Sequence, residues 1–319
     1  MEKIFKSASF ISATLVMVLL ASIFVSLFLK AEPAIKEYGF GFVKEKLWDE
    51  EVPIENSVAG EPVKKPEPAA AVSSGGDDLE SMLADSPSEV PTRTVYGALV
   101  PIVGTLLSTL IAMVFAMPIA MGIAVFLAEI APKNISYFVG IAIELLAAIP
   151  SIIFGMWGLF YFAPIVQKFV GGYQVSLLTA GLVLGVMILP FMAAITRDSM
   201  RTTPDVLKES AYALGATKFE VIKDIIFPYS KAGIIGSVIL ALGRALGETM
   251  AVAFLIGSIF SLPKAINDPT VSIPVAMANS FGEATGMKTS ALFYLALLLF
   301  IISFAVISTA KFYFLRKAK

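Results

Sequence analysis

The residues best suited to chemistry lie in the stretch Gly243-Arg244-Ala245-Leu246-Gly247-Glu248-Thr249. Arg244 and Glu248 are the only charges between Ala232 and Ser258, an otherwise membrane-like run. A charge at mid-bilayer costs about 2.5–3.5 kcal/mol on insertion scales, so it must face a bundle interior, a partner or water. Spacing of i and i+4 predicts one shared helical face. Gly243 and Gly247 add small-x-x-x-small spacing, which permits close helix approach. A guanidinium presents a planar fork of donors that matches the oxygens of an oxyanion. A carboxylate one turn away would occupy that fork when the anion has left. The chemistry such a pair could perform is reversible anion binding. A permanent ion pair that locks helices together is the competing reading, and both stay open. Glu144 is a further intramembrane acid, expected either to pair with Arg244 or to reach toward water. Pro150-Ser151 would interrupt the same span, either freeing carbonyls to line a path or only kinking the helix.

Other chemistry is excluded by composition. The 319 residues contain no His and no Cys, which removes disulfides, thiol nucleophiles, Cys/His zinc sites and His-based acid–base catalysis. The nearest approach to a nucleotide-binding P-loop is "GEATGMKTS" at 282–290, and Met287 breaks the required Gly-Lys pair. No catalytic residue, metal or cofactor is expected in this chain. A net charge of −1 gives no electrostatic footprint for nucleic acid.

The elements that position these residues are membrane helices. The chain is 57% hydrophobic with mean hydropathy +0.83, above the range of soluble domains. The fold class is an all-α polytopic membrane protein with six spans, at about 9–29, within 94–128, 138–163, 174–196, 233–258 and 289–311. Ser7–Leu29 is uncharged over 23 residues, long enough for a retained span rather than a cleaved signal. The run 94–128 is too long for one perpendicular helix and must tilt, begin outside the bilayer or break near Pro101 or Pro118. Three regions follow: an N-terminal transmembrane helix (1–30), an extracytoplasmic loop (31–93) and the main transmembrane domain (94–319). The loop is rich in Pro, Ser, Gly and acids and is expected to be largely disordered, with "DDLESMLAD" as one short helix. Lys and Arg cluster near both termini and in 197–232, which places these on the cytoplasmic side.

Residues 203–228 predict two short helices. Thr203 would cap the first, with Pro204 at its first position. Gly215 would end it in a left-handed C-cap. Thr217 and Glu220 have capping-box spacing for the second, and Pro228 would mark a bend into the next span. Two amphipathic helices could simply lie on the membrane; the alternative is docking to a soluble partner.

At this point a resemblance becomes specific. Glu209-Ser210-Ala211, Gly215 and Ile225-Ile226-Phe227-Pro228 resemble the EAA loop of ABC importer permeases, with Ser210 and Phe227 as departures. "AIPSIIFGMWG" and "GRALGET", with flanking segments in order over about 96–260, are similar to the PstC family of phosphate-importer permeases. The resemblance implies a type I ABC importer permease fold working by alternating access. Glu209, Ala211, Gly215 and Pro228 would then belong to the ATPase-coupling element, and Arg244, Glu248, Glu144 and Ser151 to the substrate path. Implied partners are a homologous second permease, two copies of an ATP-binding subunit that hydrolyse ATP-Mg, and an extracytoplasmic phosphate-binding protein. A permease for another oxyanion, such as molybdate or sulfate, and a non-transporting membrane scaffold or sensor remain the alternatives.

Overall fold

The computed structural model describes residues 2–53 and 92–316. Among the described residues, six helical runs are long and apolar enough to cross a bilayer. In chain order the elements begin with α1 (Glu2–Tyr38), α2 (Gly41–Lys44), β1 (Trp48–Pro53) and β2 (Thr92–Tyr96). Next come α3 (Leu99–Val125), extended by a π-helical turn (Phe126–Ile130), and α4 (Lys133–Ala147). α5 (Ser151–Trp157), a π turn and α6 (Ala163–Val170) form one run, followed by α7 (Leu177–Arg201). α8 (Asp205–Ala213), α9 (Lys218–Glu220), a π turn and α10 (Phe227–Leu246) come next. α11 (Met250–Ala253), α12 (Ile273–Ser280) and α13 (Gly286–Arg316) complete the chain.

The core is the pair α3 and α7. α3 buries a residue at every fourth position: Gly104, Ser108, Ala112, Ala116, Ala120 and Ala124. All are small, so the α7 backbone can approach closely, the packing that substitutes for a hydrophobic driving force inside lipid. α7 answers with Gly181 and Gly185. A Cβ on Gly181 would strike Ile111, and one on Gly185 would strike Phe115. The register rises together on both helices, so they run parallel. α10 runs antiparallel to α7, with Thr196 hydroxyl-bonded to Ser237 at 2.8 Å and Gly233 against Ser199. α1 lies antiparallel on α13, through Phe24 with Phe300 and Lys30 over Phe293. These directions bring the start of α1, the end of α13 and residues 203–228 to one end of the bundle.

The long run 94–128 is resolved by starting outside the spanning helix: Thr92–Tyr96 is a strand and the helix begins at Leu99. Pro101 lies in the first turn, where its missing N–H has no partner to lose. Pro118 stays inside a continuous helix. The third span differs from expectation. The chain breaks between Ala147 and Ser151, because Pro150 adopts extended backbone (φ −56°, ψ 136°), and the long apolar run is Ser151–Val170.

The flanks of the segment expected to be an extracytoplasmic loop are built structure. β1 and β2 pair antiparallel, with an irregularity between Trp48 and Glu50 that leaves Asp49 unpaired at φ +59°. Such a bulge re-aims a side chain. Here it points Asp49 at two partners: Lys288 Nζ at 2.6 Å and the Tyr96 hydroxyl, which donates at 3.0 Å. Trp48 stacks on Phe260 with ring centroids 5.3 Å apart. The small sheet thus ties α3 to α13 and to the loop before α12. Lys288, the residue that most resembled a P-loop lysine, serves this contact. The expected disorder around 54–91, including the short helix at 77–85, lies outside the described residues.

Two outcomes test this packing. Gly104 abuts the Val271 carbonyl so closely that a Cβ has no room, whereas Gly122 faces open space. Gly104→Val should cost about 1–3 kcal/mol by overpacking and lower the melting temperature in detergent, while Gly122→Ala should not. The Lys288 ammonium, helped by Tyr96, holds the Asp49 carboxyl below its ordinary 3.8, against a smaller opposing push from burial. A depressed carboxylate stabilises above its unfolded pKa and stops doing so as pH falls through the folded value. Trp48 fluorescence in a Trp157→Phe background should therefore stay flat from pH 7 to about 4.5 and change only below the ordinary carboxylate range. Asp49→Asn should show the changed signal already at pH 7.

Candidate functional site

The fifth span is not continuous. α10 ends at Leu246, Gly247 takes φ −97°, ψ 4°, and helix resumes only at Met250. Gly247 weakens the helix at this point, and Glu248 supplies an alternative acceptor. Its carboxylate takes the Ala251 N–H at 3.3 Å. Arg244 and Glu248 therefore do not share one helical face, as their spacing predicted; they sit on either side of an interruption. Arg244 occupies the last turn of α10, where the helix dipole favours a cation. Its guanidinium lies 6.0 Å from the centre of the Phe191 ring on α7 and is exposed in this single chain. No carboxylate bridges it among the described residues.

Glu144 does not meet Arg244 either. It accepts from Arg197 Nη2 at 3.1 Å, and Arg197 also bonds Asp198 at 2.9 Å. The Arg197 side chain is only 7% exposed, whereas Glu144 and Asp198 are more than half exposed. Gly140 makes this possible: a Cβ there would press on the Arg197 guanidinium. This arginine had read as an ordinary loop charge. The available signal was its spacing, i and i+4 with Arg201, which directs both cations toward α4. Ser151 starts α5 directly after the Pro150 break and is half-buried.

The element 203–228 follows its predicted outline with two corrections, at Thr203 and Pro228. Thr203 does not cap α8; it is buried, and the helix starts at Asp205 after an extended Pro204. Glu209 is exposed and makes no hydrogen bond or ion pair among the described residues. Pro228 does not end the helix. It sits in the first turn of α10, and the preceding residues, Val221–Ile226, take the wider π register. A proline cannot donate and crowds the carbonyl four residues earlier, and one extra residue in the turn accommodates it. The run Lys218–Leu246 is consequently one helical rod.

The turn itself is well made. Gly215 has φ +86°, its N–H donates to Tyr212 O, and Ala216 N–H donates to Ala211 O. These are the two bonds of a Schellman cap. Thr217 and Glu220 form the expected capping box. Ala211 packs inward on Val221 and Ile226, while Leu214 (90% exposed), Phe219 and Val206 point away from the bundle. A cleft of about 350 Å³ opens at the turn, between Leu214, Ala216, Glu220 and Ile225. An apolar tip over a rigid turn is a shape for insertion into a partner's groove.

The family described as binding-protein-dependent transport system inner membrane component matches residues 100–318. Among curated proteins, the phosphate transport system permease protein PstC of Haemophilus influenzae is 41% identical, over 96% of this chain and 90% of its own length. PstC of Pasteurella multocida is 44% identical over 72% and 78%. A probable PstC of Methanocaldococcus jannaschii is 34% identical over 72% and 78%. Among solved structures, a chain of the MetNI methionine ABC transporter in an inward-facing conformation superposes with TM-score 0.56 at 18% identity, covering 68% of this chain and 93% of that one. A chain of a bacterial alginate ABC transporter gives TM-score 0.54 at 14% identity, covering 76% and 84%. At those identities the structures speak for fold alone.

The Arg197 cluster makes a graded prediction. Glu144→Gln should cost about 1 kcal/mol or less, because Glu144 is largely exposed and Asp198 remains. Glu144→Gln with Asp198→Asn strands a buried guanidinium and should approach about 3–5 kcal/mol. Thermal unfolding of the purified complex reads both, and equal losses would contradict the shared neutralisation.

Proposed function

This chain belongs to the family of binding-protein-dependent transport system inner membrane components, and from that premise we propose that it is the permease subunit of an ATP-driven inorganic phosphate importer. It is a multi-pass inner-membrane protein that forms half of the translocation path and does not hydrolyse ATP itself. Phosphate is favoured as cargo by the relatives named above, which match nearly the whole chain at best. The observation that carries the path is the backbone interruption after Leu246, beside Arg244. Unpaired backbone is tolerated at membrane depth only where protein encloses it or water fills a cavity. Helix ends at such a break are ready-made ion sites.

Arg244 would bind phosphate through its guanidinium fork, and Glu248 would be the mobile counter-charge that keeps the empty site from holding phosphate too tightly. Glu144, locked to Arg197, would keep the cytoplasmic half of the path in register rather than touch phosphate, and Ser151 would lie at its other interruption. Both termini and 203–228 would face the cytoplasm. There the element that carries Glu209, Ala211 and Gly215 would dock on an ATPase subunit, two copies of which hold ATP-Mg. Their closure would push the turn at Gly215, and the rod through Pro228 would carry the displacement about 40 Å to Arg244, at 1.5 Å per residue. A homologous second permease would supply the facing wall, and an extracytoplasmic phosphate-binding protein would deliver the anion. No cofactor is assigned to this chain.

Arg244→Gln should leave the complex assembled and abolish phosphate uptake into proteoliposomes. Normal flux in that variant would sink the path assignment. Competition by molybdate or sulfate against labelled phosphate separates the related oxyanion permeases.

A further inference from the structure

We propose that Lys208 and Glu129 are the positioning pair through which the docking helix drives the second span. The proposal rests on the reading of this chain as a motor-driven permease. Lys208 Nζ lies 2.8 Å from Glu129 Oε1, with the two side chains only 17% and 11% exposed. Every other ion pair among the described residues has at least one partner far more open to water. α8 has no buried residue of its own. It is held at one end by the Met200–Thr203 connection from α7 and at the other by the Gly215 turn. Lys208 is the ionic tie from its middle to the rest of the bundle.

The other end of that tie is unusual. Glu129 sits in the π turn Phe126–Ile130 that ends the second span. Arg201, from the last turn of α7, donates to Leu127 O at 3.3 Å and to Ser136 Oγ at 2.6 Å. The Ser136 hydroxyl in turn donates to Leu127 O at 2.6 Å. Two cations from two helices thus grip one π turn. Arg201 joins it to α7, and Lys208 joins it to α8. A π turn carries one residue more than an α-helical turn and is the weakest register in a helix, so it is the place where a pull changes the geometry first. An ion pair this far out of water is not readily exchanged for hydration, so a push on α8 is delivered to Glu129 instead of being lost in side-chain motion. From Glu129 it passes along α3, whose small-residue stripe packs directly on α7. The second span is then driven alongside the 218–246 rod.

The test uses the assembled complex in proteoliposomes, reading ATP hydrolysis and phosphate uptake together. Lys208→Met and Glu129→Gln should assemble and hydrolyse ATP, with phosphate moved per ATP reduced about tenfold or more. The exchange Lys208→Glu with Glu129→Lys should restore the ratio to within about threefold of wild type. A wild-type ratio in either single variant, or an exchange no better than the singles, overturns the proposal. A second readout does not depend on the anion. The chain has no cysteine, so spin labels at Ser210→Cys and Asn134→Cys report the α8 position directly. Their distance distribution should be narrow in the parent and broaden on Glu129→Gln; an unchanged distribution overturns the proposal. If the phosphate reading itself is wrong, the wild-type complex shows no phosphate-stimulated hydrolysis while the label distances still respond.

Discussion

An interrupted backbone inside an apolar medium is the constraint around which the rest of this fold is arranged. Lipid offers no hydrogen bonds, so every free N–H and C=O must be enclosed or wetted. The chain breaks its helices at two places at the ends of apolar runs, around Pro150 and after Leu246. At the second, Glu248 satisfies one free donor, the Ala251 N–H. The enclosing wall is α7, which packs against α3 on one side and α10 on another. Its most buried stretch contributes Thr179, Val183, Ile188 and Ala193. Close packing there depends on small residues in α3, since larger ones would push α7 away and open the breaks to lipid.

The same economy appears at the docking end. Two short helices would not hold an orientation alone, because helices below about a dozen residues are marginal in water. Here the turn is fixed by a Schellman cap on one side and a capping box on the other. The second helix is then continuous with a membrane span. Force applied at Gly215 therefore meets a rod. The π turn before Pro228 keeps that rod unbroken where proline would otherwise end it.

Much of this was legible in the sequence, and the failures share a cause. Six apolar runs, the Gly215 turn and the Thr217–Glu220 box were readable because each depends on local pattern. The third and fifth spans were misjudged at their ends. Hydropathy reports that residues 233–258 tolerate lipid but not that Gly247 and Glu248 stop the helix. Pro228 was read as a bend because the π register that absorbs it leaves no compositional mark. Of the two readings open for Glu144, reaching toward water fits its exposed carboxylate, while its partner Arg197 was not legible because that contact depends on Gly140 leaving room on α4. The β1–β2 pair was hidden because its strands lie on opposite sides of a long polar segment. Their alternation is short, and the bulge at Asp49 offsets it.

Arg197 and Arg244 show how environment divides one residue type between two roles. Arg197 is buried and boxed in by Gly140, and its Nε and Nη2 are bonded to the carboxylates of Asp198 and Glu144. Arg244 stands at a helix end beside an aromatic ring, with no carboxylate holding it among the described residues. A guanidinium with free donors and a cation–π neighbour is attractive to an anion yet not buried deeply enough to trap it. Glu248, four residues on, is engaged with backbone and not with Arg244. Arg244 and Glu248 are therefore not paired in this conformation, which disfavours the permanent-lock reading. That openness is what a site needs if phosphate is to enter and then leave.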